Sequence, residues 1–145
     1  MRQVLIPILI SVAWTTSVVS QELPVAVVDG LLIEEAWASA GPAGTEIFLV
    51  VNNTTTTGIG PIGIQVEGAS STRVLRPDGE EFVPSLPPRS ELYMQPAGVR
   101  AVAIGLQAVA SIPVTVSVGE ARATVEASLL DPDQSPPDHH DYVHD

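Results

Sequence analysis

The sequence predicts an all-β fold, a β-sandwich or small barrel, on three observations. No stretch beyond the first 20 residues sustains a helical period. Short runs rich in valine and isoleucine alternate apolar and polar side chains instead. Proline- and glycine-containing turns separate these runs, giving about eight short strands.

Taken in order, Pro24 to Gly30 (PVAVVDG) is a short lead-in strand. Leu32 to Trp37 is a strand whose alternation is blurred by Glu34 and Glu35. Residues 38–45 hold two glycines and a proline and are expected to cross between elements. Glu46 to Val51 (EIFLVV) is the most hydrophobic short run past the N-terminal segment, and its β-branched and aromatic residues favour a buried central strand. Trp37 is the largest apolar side chain available to close the core beside it. Asn52 and Asn53 each open an N-x-Thr triplet, formally a glycan acceptor, although a solvated loop explains the same residues. Ile59 to Glu67 is a strand with Pro61 at its start or edge.

Thr72 to Leu75 is expected to pair with Glu81 to Val83 across the turn Arg76-Pro77-Asp78-Gly79, where proline precedes Asp-Gly. Ser90 to Met94 is a further strand, turned by Gln95 to Gly98 into Val99 to Leu106. On that last run Val99, Ala101 and Ala103 share one face, and Arg100, Val102 and Ile104 the other. Ser111 to Val118 and Ala121 to Leu129 form a closing hairpin about Gly119-Glu120.

Three segments are expected. Residues 1–20 read as a secretory signal peptide: Arg2 and Gln3, an apolar run from Val4 to Trp14, then small residues before Ser20-Gln21. Val4 to Val19 is short of the roughly 20 residues a membrane span needs, so no stable membrane insertion is expected after cleavage. Residues 21–130 form one domain and residues 131–145 a tail, in a protein of the periplasm or a secreted one. The chain has no cysteine, which removes a lipid anchor, disulfides and thiolate ligands. Its six basic residues are all arginines, against 17 acids, for a net charge of -11. Such a chain lacks the positive footprint that a nucleic-acid backbone demands.

All three histidines lie in the tail, so a serine triad or a histidine general base has no counterpart in the body. Glu34 with Glu35, and Glu80 with Glu81, are adjacent on extended chain and are expected on opposite faces, forming no two-carboxylate site. No glycine-rich phosphate loop occurs. An enzyme is not expected. The tail, DPDQSPPDHHDYVHD, is the one concentrated donor set, and its composition predicts disorder in the absence of a ligand. His139, His140 and His144, with Asp138, Asp141 and Asp145, offer imidazole and carboxylate donors to copper, and secondarily to zinc or nickel. A solubilising acidic tail with incidental histidines is the plainer alternative.

Four features together resemble the periplasmic copper chaperone family PCu(A)C. They are the signal peptide, EEAWASAGPAGTEIFLVVNN (34–53), SELYMQPAG (90–98) and VRAVAIGL (99–106), in family order and spacing over residues 25–130. The resemblance implies a cupredoxin-like, immunoglobulin-like β-sandwich that binds Cu(I) through histidine and methionine and delivers it to cytochrome oxidase. The sequence departs from the family at the ligands. The family's His-x-Met aligns with Arg100 and Val102, and its earlier histidine and methionine fall in residues 70–81, which hold neither. A guanidinium does not ligate a metal. Arg100 is expected to meet a nearby acid, Trp37 or Tyr93. Met94 is the one thioether left after Met1 departs, a candidate metal ligand whose plainer role is packing.

Two functions follow. One is an exported, copper-handling accessory protein whose metal sits on the tail and passes to a metal-acceptor protein. The alternative is a sandwich without metal that serves a structural or protein-interaction role.

Overall fold

The computed structural model describes residues 22–107 and 110–131. The expected signal peptide and the tail histidines lie outside these residues. Within them the chain is all-β, a cupredoxin-like β-sandwich of nine strands. These are β1 (Val25–Val28), β2 (Leu31–Ala40), β3 (Thr45–Asn53), β4 (Gly63–Val66), β5 (Ser71–Leu75), β6 (Glu91–Tyr93), β7 (Arg100–Ile104), β8 (Ser111–Val118) and β9 (Ala121–Leu129). Neighbours run β4-β8-β9-β2-β3-β7-β5, with β1 added on β2 and β6 on β3. The two ends approach each other where the Val66 amide donates to Thr72 Oγ1 at 3.2 Å.

β3 is central, as its composition predicts. Ile47, Phe48, Leu49, Val50 and Val51 are all fully buried, so both faces of this strand are covered. That is why its sequence is a continuous apolar run rather than an alternation. β8 shows the opposite pattern. Ile112, Val114 and Val116 are buried while Ser111, Pro113, Thr115 and Ser117 face outward, the signature of a strand covered on one side.

Two expectations are corrected. Residues 38–45 do not cross between elements. β2 continues through Ala40, opposite Thr45, and the turn closes with the Gly41 amide donating to Gly44 O at 2.8 Å. β2 and β3 are therefore a long antiparallel hairpin. Glu81 to Val83 forms only a single bridge to β5, Leu75 with Glu81, extended by the Phe82 amide donating to Val74 O at 3.0 Å. The turn between them forms as predicted, with the Gly79 amide donating to Arg76 O at 2.8 Å.

The Asn53 triplet resolves on structural grounds. Asn53 is the buried polar residue among the described ones, and its Nδ2 donates to Thr57 O, Leu86 O and Pro87 O at 2.9–3.3 Å. Its Oδ1 accepts from the Thr55 amide at 3.0 Å and from Thr55 Oγ1 at 2.7 Å. A side chain so enclosed pins the threonine loop to the Leu86 segment and has no room for a glycan.

β9 joins the closing hairpin to β2 in parallel, with Trp37 opposite Ser128 and Ala38 opposite Leu129. The Leu130 amide extends this seam by donating to Ala38 O at 2.8 Å.

Candidate metal site and an acidic cleft

The region where the resemblance places copper ligands is β7 with its neighbours β3 and β5. Register sets Glu46 opposite Val102 and Leu75 opposite Arg100. The guanidinium thus meets an acid: Arg100 Nε lies 3.5 Å from Glu46 Oε1, and both side chains are 18 % exposed. Arg100 Nη1 also donates to Gly98 O at 3.0 Å and to Arg76 O at 3.4 Å. Of the partners left open by the sequence, the nearby acid is the one realised.

Val102 is buried, and on β5 Arg73 stands opposite it, exposed to solvent. Arg76 lies over the Phe82 ring, 4.6 Å from its centroid, and 3.7 Å from Glu80. Three arginines and no soft donor occupy this end of the sheet. Arg100 and Arg76 are each paired with an acid, and no guanidinium offers a metal a lone pair. Met94 is fully buried among core side chains, its amide donating to Leu49 O at 3.0 Å. Its thioether packs where the sandwich needs apolar volume.

The second feature was not foreseen. Pairing of β2 with β3 skips Glu34: Ile33 lies opposite Val51 and Glu35 opposite Val50, a one-residue bulge. Beyond it Trp37 lies opposite Phe48. Val51 and Phe48 are three residues apart on β3 and so face opposite ways, which means that Ile33 and Trp37 do too. A regular strand would have put them on one face. The bulge turns Trp37 to the Phe48 side, where the rings stack with centroids 4.0 Å apart.

The expectation that Glu34 and Glu35 could share no site rested on a regular strand. The bulge instead sets Glu34 and Glu35 on the same side of β2. Glu34 and Glu35 both line one open cleft of about 500 Å³ with Leu23, Trp37 and Leu130, with one Glu35 carboxylate oxygen buried. Asn52 Nδ2 donates to Glu34 Oε1 at 3.2 Å, fixing one carboxylate at the rim. The cleft joins apolar walls to two acids and suits a group that is both apolar and cationic. Among the described residues no three His, Cys, Asp or Glu side chains converge as a metal cage. The sequence signal for the cleft was present, a glutamate pair interrupting an otherwise apolar strand, but only pairing to β3 reveals it as a bulge.

The architecture defines a class, the cupredoxin-like β-sandwich. No family model and no curated protein matches the sequence. Solved structures do. A structure described as "Copper-bound PCuAC domain from PmoF2" superposes with a TM-score of 0.64 at 20 % identity, over 75 % of this chain and 98 % of that one. An "Apo PCuAC domain from PmoF1" gives 0.60 at 18 % identity, over 71 % and 95 %. This chain has the PCuAC fold, spanning nearly the whole of those domains.

Proposed function

We propose that this chain is a divergent PCuAC protein, exported to the periplasm or beyond, that carries copper as cargo on its C-terminal segment. His139, His140 and His144 would supply imidazoles, and Asp138 and Asp141 carboxylates. The metal would pass on to an acceptor protein, with no catalysis. The observation that carries this reading is the Arg100–Glu46 ion pair, which lies where the resemblance sets the His-x-Met ligands. With that place filled and Met94 buried in the core, the tail holds the only histidines of the chain. The likeness in fold to a copper-bound domain supports copper over zinc or nickel as the cargo.

Imidazole and carboxylate donors favour Cu(II) over Cu(I), which prefers thioether and thiolate. A donor set without a preformed cage must be ordered on binding, so affinity is moderate and selectivity modest. Neutral imidazole is the ligand and an ordinary histidine titrates near pH 6.5, so protons displace the metal as pH falls below about 6.

Native mass spectrometry of the chain with Cu(II), Zn(II) and anaerobic Cu(I) tests this reading, beside a version ending at Leu130. One Cu(II) retained by the longer chain at pH 7.5, released at pH 5 and absent from the shorter one is the expected result. Cu(I) held by the shorter chain would return the site to the body. Binding by neither would favour the second reading, a sandwich for protein interaction, to which the open cleft on β2 already lends an observation.

A further inference from the structure

β5 carries a guanidinium that the fold leaves unused. Arg73 is exposed opposite Val102 and makes no hydrogen bond or ion pair with another described residue. Arg76 and Arg100, by contrast, are each taken up by an acid. Two of the three exposed large apolar side chains among the described residues, Val83 and Ile104, flank Arg73.

Register places all three on one face. Ile104 pairs with Ser71, two residues before Arg73, and so is a diagonal neighbour of the arginine. Val83 arrives from the other flank. Leu75 bridges Glu81, with the Arg76 amide donating to Glu80 O at 2.8 Å and the Phe82 amide to Val74 O at 3.0 Å. Side chains of an extended chain alternate, so Val83, two residues past Glu81, comes level with Arg73 on its side. Burial follows that alternation: Glu81 and Val83 are exposed, Phe82 is half-buried and Pro84 buried. Val83 is 66 % exposed and Ile104 39 %, with the guanidinium between them.

We propose that this strip is a docking surface for a partner protein that presents a carboxylate between apolar side chains. The inference goes beyond the metal reading and stands without it. Covering Val83 and Ile104 supplies the driving force. Arg73 supplies the choice, because a carboxylate meets a guanidinium through two parallel hydrogen bonds, whereas a basic side chain in its place is repelled. Glu81, one row away beside Leu75, sets the partner's acid on the Ile104 side of Arg73. β5 is hydrogen-bonded to β7 on one edge and to residues 80–82 on the other, so little backbone ordering opposes binding. A second copy fits poorly: a two-fold contact would set Arg73 against Arg73, and chains of net charge -11 repel. The same net charge disfavours a partner acidic throughout, so the match is local.

Random dodecapeptides displayed on phage, panned against the full chain and in parallel against Arg73→Glu, test the surface. The native chain is expected to enrich peptides with an acidic residue flanked by apolar ones. Arg73→Glu should weaken the best of them by about tenfold and select lysine or arginine in place of the acid. Val83→Ser should weaken every enriched peptide, and amide NMR shifts on binding should cluster at residues 71–75, 82–84 and 102–104. Unchanged unfolding midpoints would show that both variants keep their fold. No enrichment on the native chain, or peptides that bind Arg73→Glu equally well, overturns the proposal. A dimer in sedimentation that Val83→Ser dissociates names a second copy as the occupant, against a separate partner.

Discussion

The Arg100 end of β7 and the Glu34–Glu35 cleft both place half-buried carboxylates beside β3, yet they are chemically unlike. Glu46, Phe48 and Val50 alternate along one face of β3, with Val102 and Arg100 beyond Glu46 and with Trp37 and Glu35 beside the other two. At the first end a guanidinium sits 3.5 Å from the acid and is itself held by two carbonyls, so the charge is consumed internally. In the cleft Glu34 and Glu35 line one open volume, and Glu34 accepts from the Asn52 amide. The difference shows that strand register decides whether a half-buried acid meets a guanidinium or an amide.

The largest expected effect strikes both regions at once. Phe48 stacks on Trp37 and lies two residues from Glu46, so Phe48→Ala should cost about 3–5 kcal/mol in urea unfolding and loosen the cleft and the ion pair together. If only the cleft changes, the two regions are less connected than their shared strand suggests. A smaller effect separates them. Arg100→Ala should cost about 1–2 kcal/mol, by leaving a half-buried Glu46 charge without its partner, and should leave Trp37 emission unchanged. A double-mutant cycle with Glu46→Gln should return a coupling of about 1 kcal/mol. The smallest effect is at the cleft. Glu34→Gln should shift stability by less than about 0.5 kcal/mol, since the residue is at the rim and Gln retains an acceptor for Asn52. A larger loss would make Glu34 part of the fold's support.

Local chemistry made most strands legible. The alternation of Ile112, Val114 and Val116 gave β8, and Gly119, at a φ of 58° between Val118 and its partner Ala121, gave the closing turn. The proline and Asp-Gly after Arg76 gave the β5 turn by the same logic. What stayed illegible depends on pairing. Gly41 to Gly44 carries the same residues whether the chain crosses over or turns back, and only the register of Ala40 with Thr45 decides. Glu34 looks like any solvated strand residue until Val51 and Val50 are seen to flank it without a partner between them. The Arg100 site was half legible: the absence of histidine and methionine from residues 99–106 was plain, whereas the choice of Glu46 required the β3–β7 register.

The parallel seam between β2 and β9 also constrains the order in which the molecule can be completed. Residues 37 and 128 pair although 91 positions separate them, and β9 is the link between the closing hairpin and the β2–β3 half. Contacts this distant in sequence form late and slow the search for the native topology. A chain delivered from its N-terminus cannot close the sheet until its last strand has emerged. Until then the edge of β2 that awaits β9 stays open to other strands, the hazard that an unpaired edge carries. The final nine-residue strand is thus the latch of the domain, and a truncation that removed Leu129 and Leu130 would be felt at the opposite end of the chain, around Trp37.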